Sequence, residues 1–428
     1  MSVRRSDSTL YAIAMTSLQT YAARTVPGVY LTEERAGAIP AGLATHNAVY
    51  MLGTSEAVDA PVDRPHLVVD LVDFKNTFGA SSPSYAAARL YFRQKPKEGL
   101  WFINVEHAGA APTAAEVDAV LKNEHFTKEM PQGFLIAPEL FESSELTGSH
   151  DELQGVLDAH CNDQRFKWAA LIDGTPGING STTQGAFVNA AIAFRDLLAS
   201  PIGHSAFYPQ WLKDLEGVSV PSSAAIAGLA LRRYRDEGYR QSPAGITYPI
   251  YGVQGPLLAI NDEAQSVLNP VGINVIRDLP RRGTVAWGAR TLSVLPSHRY
   301  LNARVVLNVL AGTFRSAFDE LVFTTVDGSG AVFAVLKATA STVLEPLRQS
   351  GALFGGTPED AYLIIADDTN NAGSALDQGI VNLDIYVKIS PVLEFLQVGI
   401  KKVALDTDLS SFTISEDVDQ AGEEEGEE

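Results

Sequence analysis

Residues 133–172 read GFLIAPELFESSELTGSHDELQGVLDAHCNDQRFKWAALI. Two short apolar runs, 133–137 and 168–172, bracket a stretch with helical spacing. Ser149 followed by Glu152 has the spacing of a capping box, a hydroxyl and a carboxylate serving each other's backbone N–H. Leu153, Val156, Leu157 and His160 then fall at i, i+3, i+4 and i+7, one face of a helix. A five-residue apolar run suits a buried strand, and strand, helix, strand in succession builds a parallel pair. The stretch therefore predicts an α/β region with parallel strands.

Upstream, residues 48–52, 66–71 and 101–105 are further short apolar runs, read as strands, and Thr113 with Glu116 marks a second capping box. Val26-Pro27-Gly28 signals a turn before an alternating stretch at 29–33, and residues 1–25 read as an arm ahead of the first ordered element. Downstream, 300–318 and 331–350 read as helices. Gly351 is suited to end the second, and Pro346 predicts a kink or break inside it. Thr357-Pro358-Glu359-Asp360 opens another helix with a hydroxyl cap, proline at the first position and acids on the positive end. Residues 380–390 alternate most cleanly: Val381, Leu383, Ile385, Val387 and Ile389 face one way, polar neighbours and Tyr386 the other. A further strand is expected at 393–403.

The expected fold class is α/β, α+β in parts. It has two packed α/β domains, the middle one subtilase-like in layering, and extended N- and C-terminal arms. The expected division is an arm at 1–25, an N-terminal segment at 26–110, a middle domain at 111–268, a C-terminal domain at 269–405 and an acidic tail at 406–428.

Composition narrows the function. The 428 residues carry 51 acidic and 32 basic side chains, a net charge of −19, which argues against a general nucleic-acid binder. Residues 415–428 hold eight carboxylates and no base. Without that run, 43 acidic side chains face 32 basic ones, a charge of −11. Such a run is expected to stay solvated. Cys161 is the single cysteine, so no internal disulfide or Cys-rich zinc site is possible. No secretory signal and no run long enough to span a membrane is visible, which predicts assembly in the cytosol.

Catalytic motifs are missing. There is no GxxxxGK[ST], no GxGxxG between strand and helix, and no GxSxG. Gly174-Thr175-Pro176-Gly177 lacks a lysine partner and reads as a plain loop; Gly203-His204-Ser205 fails because Phe207 holds the second glycine position. His160 and Cys161 are adjacent, and neighbours on a helix do not face one another. Asp367-Asp368 reads as a solvated turn at a strand end. No cofactor and no metal site is expected. Arg277, Arg281, Arg282 and Arg290 form a basic group unusual in so acidic a chain, and ion pairing with acidic surface is the expected use.

Several blocks carry a resemblance. Residues 26–33, VPGVYLTE, resemble the "PGVYV-E-E" opening of contractile tail sheath proteins. Residues 268–277, LNPVGINVIR, resemble that family's "LNPxGINxIR", and 280–292, PRRGTVAWGARTL, its "PGRGxxVWGARTL", with Arg281 in place of a glycine. Residues 349–361 are similar to "RQGAL-G-TPEEA", and 391–395 stand where sheaths have "RPAEF". The matches lie in order over about residues 26–400; the long N-terminal arm and the acidic tail depart from the pattern.

The resemblance implies a structural subunit rather than an enzyme. It implies rings, six-fold in symmetry, stacked around an inner tube protein between a baseplate and a terminator or cap, contracting to drive the tube through an envelope. No nucleic acid or membrane insertion is implied, and the particle is cytosolic, membrane-anchored or released. The implied strand-exchange residues are Val29, Leu31, Val381, Leu383, Ile385, Val387, Phe395, Leu396, Val398 and Ile400. The basic group Arg277, Arg281, Arg282 and Arg290, set in a body of net −11, is expected to pair with acidic patches on adjacent subunits, and family analogy makes Arg348, Gln349, Gly351, Gly355 and Gly356 the implied tube-facing turn. The alternatives are an α/β hydrolase-like enzyme and a soluble scaffold or binding module.

Overall fold

In a computed structural model, the structure describes residues 42–105, 111–126, 130–143, 150–163, 167–326, 328, 330–398, 400 and 402. The expected strand at 29–33, with Val29 and Leu31, the N-terminal arm, Ser149 and the acidic run lie outside these residues. The chain divides into two units, Met1–Pro391 and Val392–Glu428.

A six-stranded sheet organises the first unit. Its strands are β1 (His46–Gly53), β2 (Pro65–Val68), β3 (Leu100–Asn104), β4 (Gln132–Ile136), β5 (Ala169–Asp173) and β6 (Ser205–Tyr208), in the order β2-β3-β1-β4-β5-β6. All neighbours run parallel except the edge strand β2, which is antiparallel to β3. The expected α/β region is thus present, and the sheet reaches across residue 110 in both directions.

Alternation along β1 shows why both faces are covered. Val49 and Met51 enter one apolar cluster, with the helices Pro83–Arg93 and Ser223–Glu237; Ala48, Tyr50 and Leu52 enter the other, with the helix His150–Asn162. Successive side chains of a strand point to opposite faces, so a run of continuous apolar residues must be sandwiched. Gly133 is required opposite Ala48, whose carbonyl oxygen would lie 1.9 Å from an added Cβ. The expected helix face is buried at Leu153, Leu157 and His160, and Thr113 with Glu116 forms a complete capping box.

Two expectations shift. The strand at 66–71 ends at Val68 because the Asp70 carboxylate accepts from the N–H groups of Val72 and Asp73 and starts the helix Leu71–Phe78. The helix Ala331–Gln349 runs through Pro346 rather than breaking. Proline there forgoes the one ladder bond its N–H would have made to Thr342 C=O, and burial of Val343, Leu344 and Leu347 on the helix's face offsets that loss. Its end is as expected: Gly351 takes φ +78°, Gly351 N–H donates to Arg348 C=O and Ala352 N–H to Leu347 C=O, a Schellman motif.

Beyond the sheet come β7 (Leu212–Asp214), β8 (Ser219–Val220) and β9 (Val253–Pro256), then the hairpin β10 (Ile276–Leu279) and β11 (Gly283–Ala286). Residues 273, 275 and 292 lie in the same apolar cluster as Leu268, so the core is continuous across 268/269. The helix Leu301–Phe318 bridges to a third cluster. Leu301 and Val305 join the sheet core; Val306 and Leu310 pack with the helix Ala331–Gln349 and with β12 (Tyr362–Ile365) and β13 (Asp384–Val387). A buried polar tie fixes that helix. Arg304 Nε donates to Asn308 Oδ1 at 3.0 Å, Asn308 Nδ2 to Trp168 C=O at 3.0 Å, and Gln132 Nε2 to Asn308 C=O at 2.9 Å.

Candidate functional site

In a doubly wound sheet a ligand crevice opens at the carboxyl ends of the strands, where the order reverses. Here that point lies between β1 and β4. It is filled from within. Thr54 N–H donates to Glu139 Oε2 at 2.9 Å, and the hydroxyls of Thr54 and Ser84 also donate to Glu139. A Cβ on Gly53 would sit 1.9 Å from Ser84 Oγ, so no room is left.

Beside this plug, Asp173 ends β5 fully buried and accepts from Ser223 N–H at 2.8 Å and from the Ser223 hydroxyl. Burial pushes its carboxyl up to about 7 against those bonds. Burial, then the nearby Glu139 charge, pushes Glu142 up to about 7 as well. Among the described residues, Ser223 and Asp173 bond each other and neither takes a histidine. A serine without a base and without solvent access is a structural cap, not an activated nucleophile. None of these residues stood out in the sequence; only Asp173 carried a signal, as a polar side chain directly after the apolar run 168–172.

The other motif candidates resolve similarly. Thr175, Pro176 and Gly177 of the Gly174–Gly177 loop line a depression of about 400 Å³ with His150, Asp151, Phe194 and Leu197, and among the described residues no lysine or arginine lines it. His160 and Cys161 are buried; His160 meets Trp168 edge-on at 5.1 Å, and burial pushes the Cys161 thiol up. Asp367 accepts from the Thr369 hydroxyl and pairs with Lys337 Nζ at 3.1 Å, which hold its carboxyl at about 2. Among the described residues, no group of three potential metal ligands converges.

The four arginines do not act as one patch. Arg277 Nη1 pairs with Asp262 at 2.5 Å, and the buried Arg290 donates from Nη1 to Asn269 C=O at 2.9 Å. Arg281 and Arg282 stand exposed at the tip of the β10–β11 hairpin. The proposed tube-facing turn is braced internally: Arg348 pairs with Glu345 at 2.6 Å and donates to Gly356 C=O at 2.9 Å, and Gln349 donates to Glu345 at 2.9 Å. A Cβ on Gly355 would come within 2.7 Å of Ala361 N, which closes the turn.

The C-terminal strands separate sharply. Along 381–389 the odd residues are half-buried and the even ones exposed, as the alternation predicts. The ordered strand is shorter than expected, Asp384–Val387, antiparallel to β12, with Ile389 bridging to Leu353. The second expected strand, 393–403, is not formed among the described residues. Leu393, Phe395, Leu396, Val398 and Ile400 are 70–91% exposed, and no described strand of this chain pairs with them.

No family model matches the chain. It is 25% identical over 195 residues to the tail sheath protein of Vibrio phage KVP40, covering 45% of this chain and 28% of that protein. The chain thus spans well under half the length of the curated relative it matches. Among solved structures, it is similar to the sheath of the extracellular contractile injection system PVC in its contracted state, at 21% identity and a TM-score of 0.69. That match covers 89% of this chain and 98% of the other. The contracted helical sheath of the anti-feeding prophage is similar at 22% identity and a TM-score of 0.68, over 89% of this chain and all of that one. This is the contractile-sheath fold. A sheath tail protein of Listeria innocua shares it more distantly, at 8% identity and a TM-score of 0.53 over 77% of this chain and 90% of that one. The sheath fold agrees with the family resemblance read from the sequence.

Proposed function

We propose that the chain is the structural sheath subunit of a contractile injection machine, polymerising around an inner tube and shortening to drive the tube through a target envelope. The observation that carries this reading is the near-complete coverage of two contracted injection-system sheaths. That coverage, beside 28% of the phage protein, favours an injection system over a large phage tail. Helices on both faces of a parallel sheet support the subtilase-like layering of residues 111–268 as scaffold rather than enzyme.

In this reading the exposed apolar residues of 393–400, with Val29 and Leu31, add strands to neighbouring copies. A two-stranded sheet such as β12–β13 has open edges that accept them through main-chain hydrogen bonds. Ile385 and Val387 pack on the chain's own third cluster and hold the edge strand in place, and Val381 and Leu383 continue that face, so the added strand meets a fixed edge. The domain division given above, the inner tube, baseplate and cap as partners, the tube-facing turn 348–356 and assembly in the cytosol belong to the same proposal. No described helix is long and apolar enough to cross a membrane. Negative-stain microscopy of the purified protein tests it: hollow cylinders are expected, and uniformly monomeric particles at high concentration would overturn it.

A further inference from the structure

The β10–β11 hairpin turns through Leu279-Pro280-Arg281-Arg282, closed by Arg282 N–H donating to Leu279 C=O at 3.0 Å. Proline at the second turn position has its φ fixed. Arg281 at the third takes φ +64°, the left-handed region where glycine fits without strain. A residue with a Cβ costs about 1–2 kcal/mol there. The hairpin therefore holds an arginine where its own folding favours glycine. Arg281 and Arg282 are both exposed, in a chain of net −19, whereas Arg277 and Arg290 are engaged within their own chain. Two adjacent guanidinium groups present a fork of donors suited to successive carboxylates.

We propose that Arg281 and Arg282 of one copy bind the acidic run 415–428 of another copy. The run reads SEDVDQAGEEEGEE, eight carboxylates without a base, the densest negative charge in the sequence. The proposal deepens the subunit-contact reading above and rests on copies meeting in an assembly. Attraction of this kind is screened by salt, so it tightens contacts at low ionic strength and weakens as salt rises.

The test uses the full chain with all eight carboxylates of 415–428 changed to Gln or Asn, so that its own run does not compete. The probe is a fluorescent peptide of residues 415–428, followed by anisotropy. Saturable binding is expected at low salt. It should weaken about tenfold or more in the double variant Arg281→Gly, Arg282→Ser, whose glycine relieves the turn, and stay unchanged in Arg277→Gln. Binding that survives the double variant overturns the proposal, as does no binding, or equal binding of a short oligonucleotide. Microscopy of the parent chain, with its acidic run intact, keeps the two readings apart. Cylinders without peptide binding remove only the arginine contact, and peptide binding without cylinders removes only the sheath function.

Discussion

β13 and the stretch 393–400 are close in composition and opposite in fate. Both are apolar and short. In β13 the odd residues rest on the cluster of Val306, Leu310, Val343 and Leu344, and the backbone pairs with β12. In 393–400 nearly every apolar side chain meets solvent. Alternation gives a strand one dry face and one wet face, which a single chain can satisfy. A stretch with Phe395 and Leu396 adjacent is apolar on both faces and needs surfaces beyond one layer. The difference teaches that a strand-forming sequence becomes a strand only where a partner edge and a covered face coincide.

Breaking the support under β13 should have the largest effect. Leu344→Ala empties a fully buried site beneath the strand and should cost about 3 kcal/mol, read as a lower urea midpoint of the unassembled chain. Ile385→Ala, half-buried in the strand itself, should cost about 1–2 kcal/mol in the same assay.

An intermediate effect is expected far from both stretches, and it depends on pH. The Asp173 carboxyl is raised to about 7, so the folded chain holds a proton there that the unfolded chain releases, and stability rises as pH falls from 7 toward 4. His46 and His204 are buried and pushed down to about 3. The unfolded chain takes up those protons first, and stability falls as pH drops below 6.5. The two trends oppose each other. Asp173→Asn removes one of them: it should be more stable than the parent by about 1–2 kcal/mol at pH 8 and lose that advantage by pH 4. Parallel stability curves for the two proteins would show that Asp173 does not hold its proton in the fold.

Gly351→Ala forces a Cβ into a left-handed cap and should cost about 1 kcal/mol of stability, loosening the turn that leads to the Leu353–Ile389 bridge. The smallest stability effect sharpens the comparison most. Changing Leu393, Phe395, Leu396 and Val398 to serine together should leave the urea midpoint within about 0.5 kcal/mol, yet abolish cylinders in micrographs. A loss of several kcal/mol would instead mean that the stretch packs within its own chain.

Much of this architecture was legible in the chain. The 133–172 stretch predicts β4, the helix His150–Asn162 and β5, because periods of 2 and 3.6 are properties of consecutive residues. Thr113, Gly351 and Thr357 mark element ends correctly, since caps act within a few positions. The candidate site was less legible. The arginines look like one cluster in sequence, but the fold buries Arg290 and leaves Arg281 exposed in the β10–β11 turn. Likewise Glu139 fills the crevice by meeting Thr54 and Ser84, which are 85 and 55 positions away.

The sequence by itself determined where many elements start and stop, which face of each is apolar, and that the GxxxxGK[ST] and GxSxG motifs are missing. These follow from local sterics, capping and hydrophobic period. Only the tertiary structure decided that β1 and β4 are neighbours, that their ligand crevice is filled by a carboxylate, and that two of four arginines remain at the surface. Those outcomes depend on contacts between residues distant in sequence, where burial and charge are set by whichever elements happen to meet.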